Sequence, residues 1–137
     1  MKLPCLLEAE EGLIFVRYLQ LRNIAFTHVP NETGHSPEAK RRAIRMKLQG
    51  TSKGFCDYVI AMPGVGMLFV ELKRVHGSSI SPEQRQWIAV INQCPGSQAY
   101  IAKGAQAAID WLESFTVIRT SVGQRGAEAI YPFEGLF

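Results

Sequence analysis

The sequence predicts an α/β fold in which a mixed β-sheet is flanked by helices on both sides. Three observations point there. Apolar spacing switches between helical and strand periods in the order α, β, α, β, β, α, β, α. Two Ser-Pro pairs, Ser36-Pro37 and Ser81-Pro82, mark helix starts. Two β-type apolar runs flank the turn Pro63-Gly64-Val65-Gly66. A chain of 137 residues fits one domain with a core of its own.

Residues 6–22 have helical spacing, with Leu7, Ile14 and Leu21 on one side and Glu8, Glu11, Phe15, Tyr18 and Arg22 on another. Residues 24–29 alternate as a short strand that ends at Pro30-Asn31. The Ser36-Pro37 start predicts a helix running to about Leu48 and stopping at Gly50. A β-hairpin follows in DYVIAMPGVGMLFVELK. Ser81-Pro82-Glu83-Gln84 is a capping box, so the next helix begins there and ends near Cys94-Pro95-Gly96. Residues 98–102 suggest a strand. Ala105 to Phe115 reads as a helix carrying Ile109, Trp111 and Leu112. The domain is expected over residues 1–115, with 116–137 as an extension packing on the core or on a dimer partner. Within that extension Val117-Ile118 and Tyr131-Pro132-Phe133 are candidates for a further strand.

Composition narrows the function classes. Apolar residues at 47% and charged residues at 20% indicate a folded chain rather than a disordered one. No apolar run approaches the roughly 18 residues of a membrane span. The apolar stretch at the N-terminus is too short, and too soon acidic, for a signal peptide. A cytoplasmic location is therefore expected. Cys5, Cys56 and Cys94 lie far apart, without the C-x-x-C spacing of a zinc knuckle or a redox motif, and are expected to be reduced thiols. Net charge is +3, and its distribution is uneven. Lys40, Arg41, Arg42, Arg45, Lys47 and Lys53 fall in one window with Glu38 the only acid nearby. Such clustering is either a solvated helix face or a footprint for phosphates.

The hairpin concentrates the chemistry. With the turn centred near Gly64, residues whose numbers sum to about 128 lie opposite each other, which pairs Asp57 with Glu71 on one face of the sheet. Lys73, two residues on, shares that face. Opposed carboxylates repel, and a divalent cation relieves the repulsion; Mg²⁺ is typically held by one or two carboxylates together with waters and substrate phosphate. The alternative is a strand-end ion pair between Lys73 and one carboxylate. Gly54 invites close backbone approach, or simply a turn. His28, His35 and His76 lack metal-ligand spacing and read as surface or capping residues. Asn31 and Glu32 lie in a loop from which they could touch substrate. Trp87 and Trp111, at helical positions, read as core.

Four stretches in this order, His28-Val29-Pro30-Asn31-Glu32, Gly54-Phe55-Cys56-Asp57, Glu71-Leu72-Lys73 and Ser81-Pro82-Glu83-Gln84 with Trp87, resemble the virus-type replication-repair nuclease (VRR-NUC) domain, a branch of the PD-(D/E)XK nuclease superfamily. The resemblance covers roughly residues 8–112. It implies a restriction-endonuclease-like core and an Mg²⁺- or Mn²⁺-dependent endonuclease acting on DNA. It implies that Asp57, Glu71 and the Leu72 carbonyl bind metal, that Lys73 assists the attacking water, and that Gln84 lies close to the metal site. A glutamate of the first helix joins them: Glu8 by its spacing from Tyr18-Leu19, with Glu11 as the rival. Two positions depart from the family pattern. Gly12 stands where a glutamine is frequent, and Cys56 where proline is usual. Compact relatives of this kind resemble phage and bacterial homodimers that act on branched DNA, including Holliday junctions. A catalytically silent DNA-structure-binding protein and a sequence-specific restriction-type nuclease are the alternatives.

Overall fold

The structure is a computed structural model that describes residues 4–30 and 34–121. Its elements follow the expected order: α1 (Glu8–Leu21), β1 (Ala25–His28), α2 (Pro37–Leu48), β2 (Tyr58–Met62), β3 (Gly66–Lys73), α3 (Pro82–Gln93), β4 (Ser97–Lys103) and α4 (Ala105–Ser121). The capping signals act as read. Ser36 Oγ accepts the Ala39 N–H at 3.1 Å, and Ser81 Oγ accepts the Gln84 N–H at 3.2 Å. One element differs. α4 continues to Ser121, so Val117 and Ile118 belong to a helix and not to a strand. Nothing between Phe115 and Ser121 breaks a helix, since the next glycine is Gly123. Asn31, Glu32 and residues 122–137, with Tyr131-Pro132-Phe133, lie outside the described residues.

The sheet has the order β1-β2-β3-β4, antiparallel except for the parallel pair β3/β4. The β2/β3 register pairs Tyr58 with Val70 and Ile60 with Leu68, the register expected from the turn. β3 is hydrogen-bonded on both edges, and its side chains alternate between two apolar layers. Leu68, Val70 and Leu72 point to a core shared with Phe15 and Leu19 of α1 and Ala105, Ala108 and Leu112 of α4. Phe69 points to the other face, into a smaller cluster with Cys56, Ile91, Phe55 and Trp87 beneath α3. Glu71 follows Phe69 on that face and is 1% exposed, a charged residue in the most enclosed strand. Asn92 of α3 clamps the outer strand: its side chain accepts the Ala99 N–H at 2.8 Å and donates to the Ala99 carbonyl at 3.2 Å. That contact satisfies part of a strand edge. Among the described residues, no helix is long and apolar enough to cross a membrane.

α1 buries Glu11, Gly12, Phe15 and Leu19, while Leu7, Leu13, Ile14 and Leu21 remain exposed. The helix therefore turns its polar-looking side inward. Phe15 meets Tyr58 edge-to-face at 5.2 Å between centroids. α2 is the opposite case. None of its residues is buried, and it makes no extensive contact with another described element.

Gly54 locks the strand entry to α3. Its φ is +85°, and a Cβ there would meet the Glu83 Cβ at 2.6 Å and the Gln84 nitrogen at 2.9 Å. Gly54→Ala should therefore lower the melting temperature by an amount corresponding to roughly 1–3 kcal/mol. Gly50 has a φ of +92° but nothing within 4 Å, so Gly50→Ala should cost less. Equal losses in thermal unfolding would show that the contact with α3 is immaterial.

Candidate active site

The hairpin and two capping interactions build the site. Glu71 extends from β3 toward α3, where the capping box holds Gln84 in one rotamer. Gln84 Oε1 accepts the Ser81 N–H at 2.9 Å, which leaves its amide nitrogen to donate to Glu71 Oε1 at 2.5 Å. Gln84 thus caps the helix and holds the carboxylate at once. Lys73 Nζ reaches the same Oε1 at 3.1 Å. The strand-end ion pair is real, but it engages one oxygen only. Glu71 Oε2 is buried and has no hydrogen-bond partner among the described residues. A buried carboxylate oxygen left in this way is costly unless something absent from the protein binds it.

Asp57 stands just before β2. Its Oδ2 accepts the Leu72 N–H at 2.9 Å, and its carbonyl accepts the Val29 N–H at 2.7 Å. The first bond fixes the carboxylate beside Glu71. The second lays the His28-Val29-Pro30 segment against the site, and the His28 ring lies 5.1 Å from that of Tyr58. Leu72 thus contributes its N–H to Asp57, while its side chain is buried on the opposite face of the sheet.

The two glutamates of α1 separate clearly. Glu11 is buried, and its Oε2 accepts the N–H of Ala105 at 2.7 Å, capping the start of α4. Glu8 is exposed, and its charge is felt at both Tyr58 and Glu71. Gly12 explains itself here. A Cβ at that position would lie 3.0 Å from the Tyr58 hydroxyl, so the phenol fills the space that a longer residue would need.

Electrostatics follow from this crowding. Burial pushes the Glu71 carboxyl up to about 7, the Asp57 charge pushes the same way, and Lys73 opposes both. Burial, with Glu71 and Asp57 nearby, pushes the Cys56 thiol up to about 12, so Cys56 is a neutral core residue. Among the described residues no three histidine, cysteine or acidic side chains form a complete metal cage. Two carboxylates, those of Glu71 and Asp57, lie close enough to feel each other's charge, and such a pair could hold a hard cation whose remaining ligands are water and substrate.

Beside the site a cleft of about 1140 Å³ opens between α2 and α3. Met46, Lys47, Lys53, Gln84, Trp87 and Val90 are among its lining residues. Lys53 and Lys47 line the cleft, whereas Lys40, Arg41, Arg42 and Arg45 are exposed on α2 and are not among its lining residues. Trp87 is only half-buried: it packs on Phe55 and donates Nε1–H to the Lys53 carbonyl at 3.1 Å. Trp111 stacks on Tyr100 against the main core. Sequence reasoning missed the capping role of Glu11, the Asn92 clamp and the cleft. Only the helical spacing of Trp87 and Lys53-Gly54 hinted at the last.

The Glu71 shift fixes a sign. Its folded value of about 7 lies above the ordinary 4.5. Between these values the folded protein keeps a proton that the unfolded chain releases, so stability falls as pH rises through the window and levels off above it. Metal-free protein should thus be more stable near about pH 5.5 than near about pH 7.5, by on the order of 1–3 kcal/mol. Glu71→Gln should flatten that slope in denaturant titrations. An unchanged slope in the variant would remove Glu71 as its source.

Comparison with known proteins agrees with this geometry. The family model for the VRR-NUC domain matches residues 13–106, which include Asp57, Glu71, Lys73 and Gln84 and begin after Glu8 and Glu11. A solved structure described as a VRR_NUC domain protein superposes with a TM-score of 0.65 at 22% identity, covering 82% of this chain and 90% of that one. This likeness supports the fold. No curated protein sequence gives a significant match. With the family model spanning well over half of the chain, the protein belongs to the VRR-NUC family of nuclease domains.

Proposed function

We propose that the chain is a divalent-metal-dependent endodeoxyribonuclease that hydrolyses phosphodiester bonds, with Mg²⁺ or Mn²⁺ as its ion. The observation carrying this reading is Glu71 Oε2, a buried carboxylate oxygen without a partner among the described residues, beside the Asp57 carboxylate. A divalent ion there would supply Lewis acidity to the phosphoryl oxygen and to the attacking water. Asp57 and Glu71 would hold it, with the Leu72 carbonyl and Glu8 as further oxygens. Gln84 keeps the Glu71 carboxylate aimed. Lys73, tethered to Oε1, is placed to orient the water and to balance charge building on the phosphate. The basic face of α2 and Lys53 would contact the DNA backbone.

Branched DNA is the proposed substrate, and a homodimer the proposed form. Cutting both strands of a junction requires two sites, which a two-fold dimer provides. The exposed Leu7, just before α1, and Leu13, Ile14 and Leu21 within it supply apolar surface for such an interface.

Chelation should abolish cleavage, and Mg²⁺ or Mn²⁺ should restore it. Asp57→Ala, Glu71→Ala and Lys73→Ala should each slow cleavage by at least about a hundredfold. The two α1 glutamates should divide: Glu8→Ala should lower the rate and leave the melting temperature unchanged, whereas Glu11→Ala should lower the melting temperature. Full activity in excess chelator, or a wild-type rate from Asp57→Ala, would overturn the reading. In light scattering at micromolar concentration the mass should be that of two chains, and a four-way junction should be cut faster than a linear duplex of the same sequence. A monomer that makes paired junction cuts would defeat the dimer argument.

A further inference from the structure

We infer that the cleft between α2 and α3 is a seat for unpaired DNA, holding a single strand next to the candidate active site with a base against Trp87. The inference deepens the nuclease reading and rests on it for the choice of ligand. Three features of the cleft combine. Its volume, about 1140 Å³, is large for a small domain, and its lining includes Gln84, the residue hydrogen-bonded to Glu71, so a strand lying in it is one side chain away from that carboxylate. Its walls are largely apolar: Met46 comes from α2, while Trp87 and Val90 come from α3, and Val90 is 54% exposed. Two cations line it, Lys47 from α2 and Lys53 from the segment that follows that helix. Glu83 also lines the cleft; a backbone hydrogen bond at the helix start, with a smaller contribution from the Lys53 charge, holds its carboxyl below the ordinary value.

Apolar walls with two cations among them suit a ligand that offers flat apolar faces and phosphates together. A duplex presents its phosphates outward and keeps its base faces stacked inside, leaving the walls nothing to touch. An unpaired strand exposes both, and base–aromatic stacking above a positive groove is how such strands are held without sequence reading. Trp87 is fixed for this role by its bond to the Lys53 carbonyl and its edge-to-face contact with Phe55 at 4.9 Å. The ring is therefore ordered before any ligand arrives. Preference for a flap or splayed arm over continuous duplex then has a physical source: those branches carry unpaired nucleotides, and a continuous duplex does not.

The test uses the full chain in chelator, so that binding is read apart from cutting. The chain has two tryptophans, and Trp111→Phe leaves Trp87 as the reporter. A labelled oligothymidylate of about 15 nucleotides, a length within the site sizes of single-strand grooves, is compared with a blunt-ended, fully paired duplex by anisotropy and by tryptophan emission. The oligothymidylate should bind more tightly than the duplex and quench Trp87. Adding Met46→Ser and Val90→Ser, both on cleft walls and neither fully buried, which removes apolar wall without adding charge, should weaken the oligothymidylate about tenfold, the scale of one lost stacking contact. The duplex should be unaffected, and circular dichroism should match the parent. Equal binding of the two DNAs, binding without quenching, or indifference to the wall substitutions would overturn the inference. A protein that binds and quenches yet never cuts with Mg²⁺ would fail the nuclease reading and keep this one. A protein that cuts but does not quench would do the reverse.

Discussion

The buried Glu71 carboxylate is the constraint around which the rest of the structure is arranged. A central strand hydrogen-bonded on both edges is the least hospitable place for a charge. Each neighbour of Glu71 reads as an answer to that problem. Lys73 supplies a counter-charge to one oxygen, and Gln84 supplies an amide to the same oxygen. Asp57 aggravates the problem, and the Leu72 N–H fixes it where it does so. Two carboxylates held together against their own repulsion, with one oxygen unanswered, make a site whose stability depends on what binds it. Replacing Glu71 with an apolar residue would favour the fold and remove the chemistry, the usual relation between strain and function.

Positioning is spread over elements that would otherwise look merely structural. The capping box of α3 fixes Gln84, and Gly54 lets the strand entry touch that helix turn. The Tyr58 phenol fills the place left by Gly12. Glu11, a glutamate that could have been taken for a ligand, caps α4 and so ties α1 to the start of that helix. The division between Glu8 at the rim and Glu11 in the core shows how one helix turn separates a candidate ligand from a cap.

Much of this was legible in the sequence, because local signals and packing agree. Ser-Pro starts, the Pro-Gly turn and the β-type runs gave the element order, and the turn arithmetic gave the Asp57–Glu71 opposition. What could not be read was any interaction between residues far apart in sequence whose chemistry is ambiguous locally. The contact of Glu11 with Ala105 spans the whole domain, and its burial is invisible in a helix whose leucines face outward. The end of α4 was missed because β-branched Val117 and Ile118 suggest strand, while the absence of a breaker lets the helix run on. The cleft arises from α2 standing away from the sheet. No pattern in an exposed basic helix reveals that distance.

The central claim is that Glu71 and Asp57 together form the seat of a divalent ion, and Mn²⁺ binding measured by electron paramagnetic resonance tests it without reference to any substrate. Wild-type protein should take up Mn²⁺ saturably, Mg²⁺ should compete, and Glu71→Gln and Asp57→Asn should each abolish the uptake while the folded spectrum in circular dichroism is retained. Saturable Mn²⁺ binding undiminished by either substitution would contradict the account.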